Sequence, residues 1–289
     1  MGLLGKPLGV FSLEESDKYV GSFFSNDDIK TILHVKDEDL KDVSFTEKGG
    51  GLYIDESTLR KDYWEMGLIP NAVSAKVGNA SVSFDEYVLM AIIRHTYPSA
   101  FITPQYKWVR KRIDMLVEIG DKKFFLEFHG PGHFKNLSGY KDPEDPFNRK
   151  AQIEKEFGCP CYIWPYWIQR CSSNLRILMG DAKSEERGYG ALWSTTVFFG
   201  DFSFDNSAQI IEKLTRPFKA ALDGGYGYFY ERWDESDFGR LKEEHPIIKR
   251  VMNGKVSINR LIPKGAKLED KRKWLPSCLQ DLFKEQNTK

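Results

Sequence analysis

The clearest hydrophobic periodicity in the chain lies in residues 81–97. Apolar side chains recur there at the spacing of one helix face, and Ser81 or Ser83 stands where an N-cap is needed. Pro98 follows, and a proline is incompatible with a continuing helix. The pattern therefore predicts an amphipathic helix whose repeating positions are Phe84, Val88, Ala91, Ile92 and His95.

Three runs with the composition of β-strands follow this helix. Residues 100–109 are predicted to be extended, with an interruption at Pro104. Residues 112–119 and 124–130 are two further β-rich runs, and the Gly-Asp-Lys tripeptide between them is typical of a hairpin turn. The two runs are therefore expected to pair as adjacent antiparallel strands.

A second helix and a final strand complete this central region. Residues 147–157 have helical spacing with many charged side chains, and Gly158 is positioned to end the helix. Residues 161–167 are an apolar run expected to be a buried strand. The order helix, strand, strand, strand, helix, strand indicates an α/β domain. Weaker patterns predict short helices at 26–33 and 56–66, a strand at 191–200 and a helix at 206–222.

Composition and charge restrict the class of protein. The chain has 42 lysine and arginine residues against 42 acidic ones, which excludes a uniformly basic protein that coats nucleic acid. A binder with its positive charge on one face remains open. No apolar run approaches the roughly 20 residues needed to span a bilayer, so we expect a cytoplasmic protein without a membrane partner. The four cysteines lack a second pair at zinc spacing, and reduced thiols are expected.

Three polar residues interrupt the apolar pattern of the two central strands. Asp114 lies within one run, while Glu127 and His129 lie two apart in the next, which places them on one face of their strand. A carboxylate buried in a strand is costly unless it is paired or bound to a cation. Groups of this kind on two strands of one hairpin are expected to converge on a single point.

The residue types at this point suit metal-dependent hydrolysis. Two carboxylates with open water positions are a donor set that Mg²⁺ prefers, and Asp114 and Glu127 would supply it. His129 would act as a general base, or would donate a hydrogen bond to a phosphate or leaving oxygen. His133 lies four residues later and would reach the same site. The alternative is that both acids are surface residues of an edge strand and both histidines are ordinary loop residues.

These residues carry a family resemblance. Asp114, followed after twelve residues by Glu127-Phe128-His129, resembles the PD-(D/E)xK nuclease superfamily, with histidine in place of the usual lysine. The stretch at 125–134, Phe-Leu-Glu-Phe-His-Gly-Pro-Gly-His-Phe, is similar to the very-short-patch-repair-like branch of that superfamily. The resemblance covers residues 80–170, under a third of the chain.

The resemblance implies a fold, a cofactor and a further site residue. It implies a restriction-endonuclease-like core, a mixed sheet flanked by helices, in which Mg²⁺ supports hydrolysis of DNA. Glu86, in Ser-Phe-Asp-Glu at the start of the first helix, matches a glutamate of that branch and would be an outer ligand or position a water molecule. Histidine at 129 leaves the general base open. The repair enzymes' zinc-binding cysteines are absent near the His-Gly turn, which argues against a repair role and a structural zinc.

Basic residues near this motif are candidates for binding DNA phosphates. Arg110, Lys111 and Arg112 immediately precede Asp114, and a solvated strand edge is the alternative for this triplet. Residues 246–289 hold eleven lysine and arginine residues against four acidic ones, which favours either a DNA-facing arm or an ordinary solvated surface. Further positive charge around the predicted loop and helix comes from Lys135, Lys141, Arg149 and Lys150.

The sequence as a whole predicts a magnesium-dependent DNA endonuclease in three regions. Residues 1–80 would be an N-terminal region for DNA recognition, 81–205 the nuclease core, and 206–289 a helical, basic DNA-binding region. The additions on both sides favour a sequence-specific type II restriction endonuclease that cuts double-stranded DNA as a homodimer. Other interpretations are a repair or mismatch-nicking enzyme, a homing endonuclease, a catalytically silent nuclease-fold DNA-binding protein, and an unrelated α/β enzyme with a coincidental motif.

Overall fold

The computed structural model describes part of the chain. Several sequence predictions lie outside the described residues: the helices at 26–33 and 56–66, the strand at 191–200, residues 220–222 of the last helix, and the side chains of Lys135 and Lys141. The described residues are 23–25, 38, 46–48, 51–55, 74–134, 145–168, 170, 172–183, 202–219, 250–275 and 279–283.

The strands of the described residues form three sheets. Strands β1, β3 and β2 form one antiparallel sheet, β4 and β5 form a hairpin, and β6 to β9 form the main sheet. The strands are β1 Phe23–Ser25, β2 Thr46–Lys48, β3 Gly51–Asp55, β4 Ser74–Val77, β5 Ala80–Ser83, β6 Phe101–Trp108, β7 Lys111–Ile119, β8 Lys122–His129 and β9 Cys161–Pro165.

Helices connect and cover the main sheet. The α-helices are α1 Phe84–Thr96, α2 Pro146–Phe157, α3 Ser172–Met179 and α4 Ser207–Thr215. Short 3₁₀ segments lie at Pro131–His133, Arg216–Phe218, Ile258–Leu261 and Leu268–Trp274. None of the helices among the described residues combines the length and the apolar character that crossing a membrane requires.

Helix α1 begins at Ser83, one of the two N-caps that the sequence predicted, and Glu86 completes a capping box there. Ser83 Oγ accepts a hydrogen bond from the backbone N–H of Glu86 at 3.2 Å, and the backbone N–H of Ser83 donates to Glu86 Oε1 at 3.3 Å. Asp85 and Glu86 also lie at the positive end of the helix dipole. The cap therefore holds the Glu86 carboxylate at the helix N-terminus, beside the main sheet.

The main sheet has the order β6-β7-β8-β9, with antiparallel pairs up to β8 and a parallel pair β8–β9. Gly120, with a φ of 54°, allows the tight turn between β7 and β8. Helix α2 supplies the crossover that a parallel pair requires, and Gly158 ends it in the left-handed conformation with a φ of 63°. The predicted element order and α/β class are confirmed. Pro104 is accommodated because β6 is an edge strand.

Each face of β8 packs against a different cluster. Phe124 and Leu126 belong to a large core with residues of α1, α3 and α4. Phe125, on the opposite face, packs with Ile153 of α2 and Cys161 in a smaller core. The predicted alternation is thereby confirmed, and it turns Glu127 and His129 toward the face that α2 covers.

The alternation of β7 changes phase at Asp114. Ile113 and Leu116 are three residues apart, so regular alternation would place them on opposite faces of the strand. Both instead pack in the smaller core. On β6, Gln105 has a φ of 49°, and the β6–β7 ladder skips Gln105 and Asp114 although it is regular on both sides. A non-glycine residue in this conformation costs about 1 kcal/mol or more, so the sheet is locally strained where Asp114 lies.

Candidate active site

Three acidic side chains from three elements share one electrostatic environment. Asp114 comes from β7, Glu127 from β8 and Glu86 from the first turn of α1. Burial raises the pKa of Asp114 well above its ordinary value, and the charges of Glu127 and Glu86 raise it further. The sequence predicted that these three residues would belong to one site, and the structure brings them together.

Asp114 is held by a backbone hydrogen bond. Its Oδ2 accepts from the N–H of Phe128 on β8 at 2.8 Å, in the position where the regular β7–β8 ladder has ended. This bond and the charge of Arg149 lower the pKa of Asp114, but less than burial raises it. The residue as a whole is half-buried, and this hydrogen bond fixes the orientation of its carboxylate.

Glu127 is buried and ion-paired. Only 4 % of the residue is exposed, and its Oε1 accepts from Arg149 Nε at 2.9 Å and lies 2.8 Å from Arg149 Nη2. Arg149 Nη2 also donates to the backbone carbonyl of Arg112 at 2.5 Å. Burial raises the pKa of Glu127, while Arg149 opposes that shift and Glu86 adds to it. Arg149 thus links α2 to the ends of both central strands.

Glu86 has a partner that the sequence analysis did not identify. Gln105 Nε2 donates to Glu86 Oε2 at 2.6 Å, while Ser83 Oγ donates to Glu86 Oε1 at 2.8 Å. Burial raises the pKa of Glu86, and these hydrogen bonds lower it. The left-handed backbone of Gln105 was invisible in the sequence because nothing local to glutamine favours that conformation.

His129 and His133 form a stacked pair. Their ring centroids lie 4.1 Å apart at an interplanar angle of 13°. His129 is 3 % exposed, and within the part of the chain that the structure describes neither of its ring nitrogens has a hydrogen-bond partner. Burial lowers the pKa of His129 well below its ordinary value, with further contributions from His133 and Arg149, and burial also lowers the pKa of His133. Both imidazoles are consequently neutral near pH 7.

The candidate phosphate-binding residues divide into two groups. Arg110 lies in the β6–β7 turn and Lys111 and Arg112 begin β7, and all three are exposed. Arg149 and Lys150 instead make contacts within the protein. Lys150 Nζ donates one hydrogen bond to Glu154 and another, at 2.5 Å, to the backbone carbonyl of Cys161. These bonds hold α2 against β9.

An arginine outside the predicted set also contacts the site. Arg170 pairs with Asp85 in the first turn of α1, and its guanidinium lies over the ring of Phe128, 5.8 Å from the centroid. It therefore ties the helix that carries Glu86 to the strand that carries Glu127. Only the tertiary structure reveals this contact, since 84 residues separate Asp85 from Arg170 along the chain.

The donor chemistry of the site fits a hard divalent cation. Asp114 and Glu127 are oxygen donors whose pKa values burial raises, so a cation would relieve the cost of ionising them. Among the described residues, no three histidine, cysteine, aspartate or glutamate side chains form a ready cage for a metal ion. Mg²⁺ commonly uses one or two carboxylates and retains several waters, which is what this pair would provide.

Comparisons of the chain with protein-family models, with curated proteins and with solved structures found no match in any of the three.

Proposed function

We propose that this chain is a metal-dependent DNA endonuclease with a restriction-endonuclease-like core. The observation that carries the proposal is that the carboxylates of Asp114, Glu127 and Glu86 share one electrostatic environment, while His129, on the same strand as Glu127, is buried with no hydrogen-bond partner among the described residues. Each carboxylate has a hydrogen-bond or ion-pair partner, yet burial raises the pKa of all three acids, and acids with perturbed pKa values gathered at one point are typical of functional sites. Their retention together favours a catalytic role.

Each residue has a distinct task in the proposed reaction. Asp114 and Glu127 would hold Mg²⁺, which polarises a phosphodiester and makes water a stronger nucleophile. His129, neutral and without a hydrogen-bond partner, would accept a proton from the attacking water as a general base. His133 stacks on the ring of His129 and positions it. Glu86, fixed by Ser83 and Gln105, would orient the water.

The substrate is proposed to be double-stranded DNA, cut at specific sequences by a homodimer in the manner of a type II restriction endonuclease. Exposed cations at Arg110, Lys111 and Arg112 lie at the same end of β7 as Asp114, and they would contact phosphates next to the scissile one. Repair, mismatch-nicking and homing endonucleases share the same proposed chemistry and differ in the DNA they select.

A catalytically silent DNA-binding protein is the second candidate. The specific observation in its favour is the ion pair between Arg149 and Glu127, because it neutralises one proposed metal ligand without a metal. In an active enzyme this pair would have to loosen for Glu127 to hold a cation. In a silent one it persists, and the site would be a structural remnant.

The decisive experiment compares the wild type with Asp114→Asn. Purified protein is incubated with long duplex DNA of mixed sequence, unmodified or carrying a mismatch, with Mg²⁺ or with a chelator. We expect Mg²⁺-dependent cleavage by the wild type and a loss of roughly a thousandfold or more in the variant, since the metal supplies several kcal/mol of transition-state stabilisation. Asp121→Asn, in the exposed β7–β8 turn, is the matched control and should cleave normally.

The outcomes separate the candidates. Discrete bands from unmodified DNA would support a restriction endonuclease, and nicking confined to mismatched DNA would support a repair enzyme. Binding of DNA without cleavage under either condition would support the silent protein. Equal cleavage by the wild type and Asp114→Asn would place the active site elsewhere and defeat the proposal.

A further inference from the structure

A groove of about 350 Å³ adjoins the candidate active site. The tip of the β4–β5 hairpin, with Asn79, forms one wall, and residues of β6 and the start of β7 form the other. Gln105 lines this groove and also donates to Glu86, so one side chain separates the groove from the acidic site. A ligand in the groove would therefore lie next to the side chain that contacts Glu86 of the candidate active site.

Among the described residues, the groove is lined by two cations and by no acidic side chain. Lys107 and Arg112 both line it, and they are direct cross-strand partners on β6 and β7. Neither has an ion-pair partner among the described residues, and both are exposed. Like charges directly opposite each other destabilise an antiparallel pair, and an anion bound between the two side chains would relieve that repulsion.

The polar lining complements the two cations. Asn79 and Gln105 carry amide groups that donate and accept hydrogen bonds, whereas Pro104 and Ala80 make part of the surface apolar. A groove with two cations, two amides and small apolar surfaces suits the backbone of a nucleic acid strand, in which charged phosphates alternate with less polar sugars. An isolated anion would not use the apolar surface of the groove.

We propose that this groove binds the sugar-phosphate backbone of the DNA strand next to the scissile phosphate, with Lys107 and Arg112 contacting phosphates and Asn79 contacting the backbone from the hairpin tip. The inference rests on the proposed endonuclease function and adds a substrate-binding surface to it. It assigns a role to Lys107, Asn79 and the β4–β5 hairpin, none of which the motif includes.

The test uses Lys107→Glu in the full-length protein. This change replaces the repulsion across Lys107 and Arg112 with attraction, so the thermal midpoint should rise by roughly 1–3 °C. Binding of a fluorescently labelled DNA duplex, measured by anisotropy with Ca²⁺ in place of Mg²⁺ to prevent cleavage, should weaken about tenfold, and the slope of log affinity against log salt should fall by about one. Higher stability with weaker binding is an outcome that unfolding cannot imitate.

Lys123→Glu is the matched control. It makes the same change in net charge at the far end of the hairpin, about 20 Å along β7 from Arg112, where Lys123 pairs with Glu118. It should lower the thermal midpoint slightly and leave DNA binding unchanged. Equal weakening of binding by the two variants would reduce the effect to net charge and overturn the proposal.

The remaining outcomes distinguish this inference from the proposed function. If the wild type cleaves DNA and Lys107→Glu binds and cleaves equally well, the groove is not the substrate surface, and the endonuclease function stands. If the wild type neither binds nor cleaves DNA, the function and the groove fail together. Loss of affinity in Lys107→Glu for duplex RNA alone would overturn the assignment to DNA.

Discussion

The two ends of the β7–β8 hairpin are built from the same pair of strands and obey different rules. At the closed end, next to the turn, opposite charges are paired. Glu118 and Lys123 are cross-strand partners 3.3 Å apart, and Lys122 pairs with Asp181 at 2.9 Å. The turn residue Gly120 adopts the positive φ that a tight hairpin needs. This end contains only features that stabilise a fold.

The open end, where Asp114 and Glu127 lie, also contains an ion pair, between Glu127 and Arg149, but like charges are gathered around it. Asp114 lies near Glu127 and Glu86, Lys107 lies opposite Arg112, and the buried ring nitrogens of His129 have no hydrogen-bond partner among the described residues. Gln105 holds a strained backbone conformation at the same point. Both ends belong to the same two strands, so the contrast reflects the side chains at each end and not a difference between separate elements. Like charges gathered at the open end are what a site for a cation and a polyanion would require.

The largest difference is expected when one ion pair is broken at each end. Arg149→Met leaves the Glu127 carboxylate buried and uncompensated, so the free energy of unfolding in a chelator at pH 7.5 should fall by about 3 kcal/mol. Lys123→Met breaks the exposed pair with Glu118 and should cost about 0.5 kcal/mol. Urea denaturation of both variants measures the difference. Similar losses would mean that Glu127 is effectively solvated and would remove the contrast between the two ends.

A second difference concerns the pH dependence of stability. Burial lowers the pKa of His129 in the folded protein, so below about pH 6.5 the unfolded chain binds a proton that the folded chain resists. Stability is therefore lost as the pH falls, by up to about 1.4 kcal/mol per pH unit for this residue. His129→Gln should lose correspondingly less stability between pH 7 and pH 5.5.

The control for this measurement is His95→Gln, which changes an exposed histidine on α1. Its stability should follow the wild-type pH dependence. Urea denaturation in a chelator over the same pH range gives both comparisons. If His129→Gln also tracked the wild type, the imidazole would be solvated in solution and its role as a poised base would be lost.

The smallest effect is a gain in stability. Asp114→Asn keeps an acceptor for the Phe128 N–H and removes a charge that burial and two neighbouring acids disfavour. In a chelator at neutral pH the variant should be more stable by about 1 kcal/mol. The pKa of Asp114 is raised in the folded protein, so the stability difference between Asp114→Asn and the wild type should grow as the pH rises above the ordinary aspartate range. Only the wild type must then ionise a buried carboxyl group.

Magnesium sharpens this comparison. A ligand that binds the folded state raises its stability, so Mg²⁺ should stabilise the wild type and leave Asp114→Asn unchanged. Thermal melts with and without Mg²⁺ check both expectations, with Asp121→Asn as the control that should behave as the wild type does. If Asp114→Asn were less stable than the wild type in the chelator, the ionised carboxylate would be stabilised by its surroundings, and the prediction would be wrong.

Much of the main sheet and its helices was predictable because the signals are local. The N-cap at Ser83, the Gly120 turn and the Gly158 helix end depend on neighbouring residues, and all were confirmed. The period-two pattern also placed Glu127 and His129 on one face. The nuclease identity of these residues stays a prediction, because the motif that carries it is short and the comparisons offer no relative.

The remaining features depend on contacts between distant parts of the chain. The Arg149–Glu127 pair, the Arg170–Asp85 pair and the Gln105–Glu86 hydrogen bond join residues that are 19 to 85 positions apart. Neither the left-handed backbone of Gln105 nor the phase change at Asp114 has a local sequence signal. The sequence by itself determined which polar residues, Asp114, Glu127 and His129, interrupt the apolar pattern of the two central strands. Only the tertiary structure decided which of them meet, because the free energy of a buried charge depends on the groups that surround it in space.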